Sequence, residues 1–338
     1  MLEAEQPDGV VLGTGALNVL CWFANPPGLA SVFARRAPEK DQSGDCVFDG
    51  ALKLLRRIYP APRPAEWWAS TATDIDVTTV LLTPANMLFA YARLVELSVL
   101  ESASWIAPVL AHALHLVKTN ASAGLTSMPS GGFMTIRMSL MFIEVATRIE
   151  SHHSRLLLDS DLIEALDDAC LSEATFFGGS VSSEAAGAVV GLVGRNEGGK
   201  TLSRPTVNVV LDVFLVHFDP SHFRGTVAVA KALVPARRVA TMAVSDANKK
   251  LMLQHDQLLD GLIAGLLLDE GNPRRGQDGA DAMQATCAGV LHELALYGPG
   301  AAVLRSHQPT MEALRILCDV GTKEAKEHAA GALFELDE

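Results

Sequence analysis

Apolar positions along this chain recur with helical spacing, and helices of one kind recur at an interval of about fifty residues. Ala288–Leu294 (AGVLHEL) and Ala330–Leu336 (AGALFEL) repeat nearly the same heptapeptide 42 residues apart. Working back through helices rich in small residues gives Ala236–Ala243, 52 residues before Ala288–Ala295, and Ala186–Val193, 50 earlier again. Ser139–Ala146 lies a further 47 back, Tyr91–Ser98 a further 48, and Ala16–Leu20 stands where a first copy would. The pattern predicts one helical unit stacked on copies of itself.

Each copy is followed by a short helix that starts polar and then by a second apolar helix. The predicted pairs are Asn196–Arg204 with Thr206–Phe218, Asp246–His255 with Gln257–Leu268, and Gly298–His307 with Pro309–Val320. Upstream they are Ser151–Ser160 with Asp161–Leu171, Leu100–Ser104 with Trp105–Val117, and Pro26–Arg36 with Cys46–Tyr59. Leu258, Leu259, Leu262, Ile263 and Leu266 show the helical face of one such segment. Turn-rich loops fall at one place in the unit, before the next small-residue helix: Pro60–Asp76, Thr119–Gly132, Ser172–Ser182, Asp219–Thr226 and Glu270–Asp281. Their varied lengths account for the ragged period.

Composition agrees with close-packed small helices: 49% of the 338 residues are hydrophobic and only 6% aromatic. Strand-rich folds draw more on β-branched and aromatic residues. No stretch reaches the roughly 18 uncharged apolar residues of a membrane span, and the acidic N-terminus lacks a secretory layout. Five scattered cysteines without a C-x-x-C pair fit reduced thiols in the cytoplasm or nucleus. A net charge of −12 argues against nucleic acid and anionic membrane as partners, because both demand a basic face.

The run small-small-x-small-Leu-x-x-Leu followed by a polar break resembles the armadillo repeat family, with HEAT-like repeats as the near relative. Cys287–Ala295 before Gly298–His307 carries the likeness, as do Ala236–Ala243 running into Ser245–Leu251 and Gly191–Val193 before Arg195–Lys200. The resemblance implies an all-α, right-handed α-solenoid of about six three-helix units over residues 10–338. The units fall roughly at 25–98, 99–150, 151–194, 195–244, 245–296 and 297–338. It also implies a non-catalytic scaffold or adaptor, without cofactor or metal, that binds a protein or peptide segment in a concave groove lined by the third helices. The last of these ends at Asp337-Glu338 without a polar capping unit, from which a further domain or self-association at that end is expected.

The family's peptide-binding Asn position maps onto Asn18, Glu96, Glu144, Gly191, Thr241, Glu293 and Glu335. Four of these are Glu. Like charges about 10 Å apart repel in water by only ~0.4 kcal/mol, so such a ladder costs little when empty. It is either a row of solvated positions or an acidic groove for a Lys/Arg-rich partner. Under the second reading, charge reversal at Glu144 and Glu293 weakens that partner. Thr135, and Trp67-Trp68 in a Pro-rich loop, complete the contact candidates.

The sharpest rival is Gly194–Thr201, which satisfies the phosphate-loop pattern G-x-x-x-x-G-K-T through Gly194, Gly199, Lys200 and Thr201. That chemistry needs a strand before the loop and a helix beginning near Lys200. Pro205 and the brief interval before Val207–Phe218 oppose it, because a parallel crossover needs at least about 10–12 residues. Among lesser features, His217–His222 reads as a loop without a completed metal shell, and Cys287 with His292 as too far round a helix for nucleophile and base. Arg274-Arg275 reads as an exposed basic loop tip.

Overall fold

Two helices begin at side-chain caps that the sequence supplies. The Ser203 side chain accepts from the Thr206 amide, and Pro205 occupies the first turn, where its missing N–H costs nothing. Asp159 caps another helix by accepting from the Leu162 amide. Gly279, at φ 87°, supplies the left-handed residue before a third.

A computed structural model of the chain describes residues 110–118 except 112, 130–172, 175–176, 179–196, 199–218 and 229–337. Glu96, Trp67 and Trp68, the repeat predicted at residues 25–98 and the loops Pro60–Asp76 and Asp219–Thr226 lie outside these residues. The described residues are overwhelmingly helical, so the protein is all-α. It divides into two compact units, Met1–Ala188 and Val189–Glu338.

In the first unit α1 (Ser130–Ala146), α2 (Glu150–Leu157) and α3 (Ser160–Cys170) bury Leu140, Ile143, Ile149, Leu156, Leu162 and Leu166. Lys118 Nζ lies 2.6 Å from both Asp159 oxygens, so one carboxylate ties an upstream helical segment to the cap of α3. Arg137 of α1 donates to Glu184 at 3.1 Å. The predicted loop Ser172–Ser182 contains a two-residue antiparallel bridge, β1 (Thr175–Phe176) with β2 (Gly179–Ser180), and α4 (Val181–Val193) follows at once. The bridge is too short to register as a periodicity of two.

The second unit holds α5 (Arg204–Val216), α6 (Val229–Met242), α7 (Asp246–Met252), α8 (Leu258–Gly265), α9 (Ala280–Ala295), α10 (Gly298–Ser306), α11 (Gln308–Val320) and α12 (Lys323–Asp337). Every helix with a counterpart three elements further along packs against it: α5 on α8, α6 on α9, α7 on α10, α8 on α11 and α9 on α12. Three tiers result, and α6, α9 and α12 are the small-residue helices that the repeated heptapeptides mark. Small residues permit the approach. A Cβ at Gly331 of α12 would stand 2.7 Å from His292 Nε2 of α9, and one at Gly289 of α9 would stand 3.5 Å from His328 Nε2 of α12.

Polar side chains stitch the tiers. Buried Gln284 donates to the Leu266 carbonyl and accepts from the Thr322 amide, both at 2.8 Å. Arg305 donates to the Leu336 and Glu335 carbonyls, closing the C-terminus of α12. His255 Nε2 lies 3.2 Å from Asp212, and one unit on His307 Nε2 lies 3.7 Å from Asp260.

Two expectations fail. No α-helix runs through the described part of Asn196–Arg204 before Arg204: Asn196 (φ 65°) and Gly199 (φ 71°) take left-handed conformations, the Gly199 amide closes a single turn on the Asn196 carbonyl, and Lys200–Ser203 carries no helix. Arg274 is not an exposed tip: it is 4% exposed, donates to the His217 carbonyl at 2.7 Å, and lies 5.4 Å over the Phe218 ring. That places a charged hydrogen bond and a cation–π contact under the loop. Arg274→Ala is expected to lower stability in urea by about 2–3 kcal/mol, and Arg274→Lys to restore only part of it, since lysine lacks the flat donor fork.

Candidate protein-interaction face

The row α6, α9, α12 carries the contact candidates of the second unit. Thr241, Glu293 and Glu335 occupy equivalent positions on the three helices and all are half-buried. Their surroundings differ. The Thr241 hydroxyl turns back to the Arg237 carbonyl, 3.0 Å away, and Arg237 itself is exposed one turn earlier. This end of the row is therefore not acidic.

Glu293 is engaged within the fold. Its carboxylate lies 3.2 Å from Lys249 Nζ, which is also 3.2 Å from Asp246. Lys249 is only 4% exposed, so two carboxylates hold an ammonium that has lost most of its water. The expected acidic ladder is interrupted here: Glu293 answers a charge on α7, two helices earlier in the same repeat. Glu335 differs, because its carboxylate has no ion pair or hydrogen bond among the described residues, while its backbone carbonyl receives Arg305. The readable clue to Lys249 was periodicity, since Asn248, Lys249 and Met252 share the buried face of α7.

In the first unit Glu144 is half-buried on α1, and its carbonyl accepts from the Thr147 hydroxyl at 2.6 Å. Thr135 belongs to the same helix.

The phosphate-loop geometry is absent. Val189–Val193, the required strand, is the last part of helix α4, and the Gly194 amide prolongs it by donating to Val190. The Gly194 carbonyl accepts from the buried Asn248 amide at 2.7 Å, so this glycine serves a helix junction. Gly199 and Thr201 are exposed, Lys200 is half-buried, and helix α5 begins only at Arg204. A strand-to-helix phosphate cradle cannot form from a helix-to-coil run.

Other chemistry is equally sparse. Among the described residues no three His, Cys, Asp or Glu side chains could share a metal ion. Cys287 is fully buried, its Sγ 3.8 Å from Met283 Sδ, and burial pushes its thiol up to about 12. His292 stacks instead beside His328, ring centroids 5.8 Å apart, so no nucleophile–base pair exists. Burial and the neighbouring Asp319 raise the Cys318 thiol as well. No single described helix is long and apolar enough to cross a membrane.

No protein-family model and no curated protein matches the chain. Among solved structures, a crystal structure of an engineered protein is similar at a TM-score of 0.49 and 17% identity, over 92% of this chain and 69% of that one. So loose a likeness carries no argument. The class rests on the helices themselves.

Proposed function

We propose that this chain is an armadillo-like, right-handed α-solenoid of about six three-helix units, acting as a non-catalytic protein-interaction scaffold in the cytoplasm or nucleus. One observation carries the reading: in the second unit each helix packs on the helix three elements further along. A stack with that register repeats one surface at every step, and the row α6, α9, α12 supplies an inner wall on which an extended protein segment lies. A partner with Lys or Arg fits this wall at Glu335; Glu144 and Thr135, on α1 of the first compact unit, are contact candidates there. Glu293 is a weaker contact because Lys249 already neutralises it. No cofactor is required.

Random twelve-residue peptides displayed on phage and selected on the intact chain test this. The expected result is enrichment of Lys/Arg-containing sequences whose binding falls about tenfold, roughly 1.4 kcal/mol, with Glu335→Lys. Glu293→Lys is a poorer probe, because it sets two ammonium groups together and disturbs the fold. Selected peptides that are acidic, or that bind Glu335→Lys unchanged, would refute the acidic-wall reading.

A further inference from the structure

The outward seam of α12 is made of Lys323, Glu327, Ala330, Phe334 and Asp337. Their spacing of four, three, four and three residues sets them in one stripe along the helix. All five are exposed, and Phe334, at 63%, is among the most exposed large apolar side chains described. The same seam on α9, 42 residues earlier, reads Asp281, Ala285, Ala288, His292 and Ala295. There the three alanines are buried and His292 lies over Gly331 of α12. The repeat thus uses this seam to dock a helix, and on α12 nothing described occupies it.

The chemistry of the α12 seam selects its occupant. Another unit added as α12 adds to α9 would cover Glu327 and Asp337, where α9 offers alanines, and would leave both charges to be desolvated. A second copy of the same helix running antiparallel meets the seam differently. About a two-fold axis through Ala330, Lys323 faces the partner's Asp337 at both ends, and Phe334 lies over the partner's Ala330 and the stem of Glu327. The small Ala330 lets the helices approach, and the antiparallel macrodipoles attract. A parallel pair would set Lys323 on Lys323 and Asp337 on Asp337.

We propose that this protein forms a symmetric, isologous dimer through antiparallel pairing of α12, with Ala330 on the axis and Phe334 as anchor. One helix pair falls below the size of a standard stable interface, so the dimer is weak and concentration-dependent. The interface goes beyond the scaffold reading and leaves the α6–α9–α12 wall free for a partner.

Sedimentation equilibrium of the full chain over a wide concentration range tests it. A monomer–dimer equilibrium is expected, weakened at least about tenfold by Phe334→Ala and by either Lys323→Asp or Asp337→Lys. The double exchange Lys323→Asp with Asp337→Lys restores it, because every pair is again opposite in sign. Ala330→Cys, under mild oxidation, gives a disulfide-linked dimer that the parent chain does not. Unchanged circular dichroism and melting temperature in each variant guard against loss of folding. A chain that stays monomeric at every concentration, or single reversals without effect, or a double exchange that fails to rescue, overturns the proposal.

Discussion

Phe214→Ala is expected to cost about 3–5 kcal/mol of stability, the range for removing a large, fully buried aromatic ring. Phe214 is completely inaccessible on α5 and is the largest of the fully buried side chains described. It touches two other parts of the second unit. A Cβ at Gly261 of α8 would run into Leu215 Cδ2 and stand 3.3 Å from Phe214 Cε1, so the ring and the Leu215 side chain together fill the space that this glycine leaves. On its other side the ring meets Phe218 at 5.0 Å between centroids, tilted 58°, and Phe218 is the platform under Arg274. Removing Phe214 therefore opens a cavity beside the α5–α8 contact, where Leu215 remains, and loosens the support of the Arg274 loop. Equilibrium unfolding in urea of Phe214→Ala, Arg274→Ala and the double variant checks this. The double variant should lose less than the two single losses together, because Arg274 is already poorly held once Phe214 is gone. A loss below about 1.5 kcal/mol for Phe214→Ala, or strict additivity, would show that the ring is not the link between them.

The second large effect is a loss of stability in alkali. The Cys287 thiol ordinarily titrates at 9.0 and is pushed up to about 12 by complete burial. Between these values the unfolded chain has released a proton that the folded chain keeps, so stability falls as pH rises, by about 1.4 kcal/mol per pH unit. Below pH 9 the contribution is complete and constant; by pH 12 about 4 kcal/mol has gone. Denaturant midpoints measured from pH 8 to 11 should fall more steeply for the parent chain than for Cys287→Ala, which removes the titrating group. Parallel curves would mean that Sγ reaches solvent in the folded state. The same burial makes Cys287 inert to alkylating agents at neutral pH.

Much of the architecture was legible in the residues. The heptapeptides at Ala288 and Ala330 mark α9 and α12, and the run at Ala236 lies in α6, because each buries a small-residue face that must recur whenever the unit does. Ser203 and Pro205 mark the start of α5, since an N-cap and a first-turn proline act locally. Rejection of the phosphate loop was also within reach, as Pro205 and the short interval to Val207 are local constraints. What escaped was set by distant partners. Arg274 looked like part of a soluble loop, and only the packing of that loop on α5 brings His217 and Phe218 beneath it, 57 residues away in sequence for the hydrogen bond. Glu293 read as a groove or solvated position, yet the fold brings Lys249 of α7 against it, 44 residues away in sequence. That no α-helix fills the described part of Asn196–Ser203 turned on two positive φ angles that periodicity does not report.

By itself, then, the sequence determined that the protein is helical, where its repeating helices lie among the described residues, and that Gly194–Thr201 is no phosphate loop. These follow from helical period, capping and residue type, all properties of neighbours along the chain. The tertiary structure alone decided which charges stay available. Glu293 and Glu335 stand at the same position of nearly identical heptapeptides, but one is held by a buried lysine and the other meets none. The difference comes from the helix packed alongside, and repeats alike in sequence do not share neighbours alike in charge.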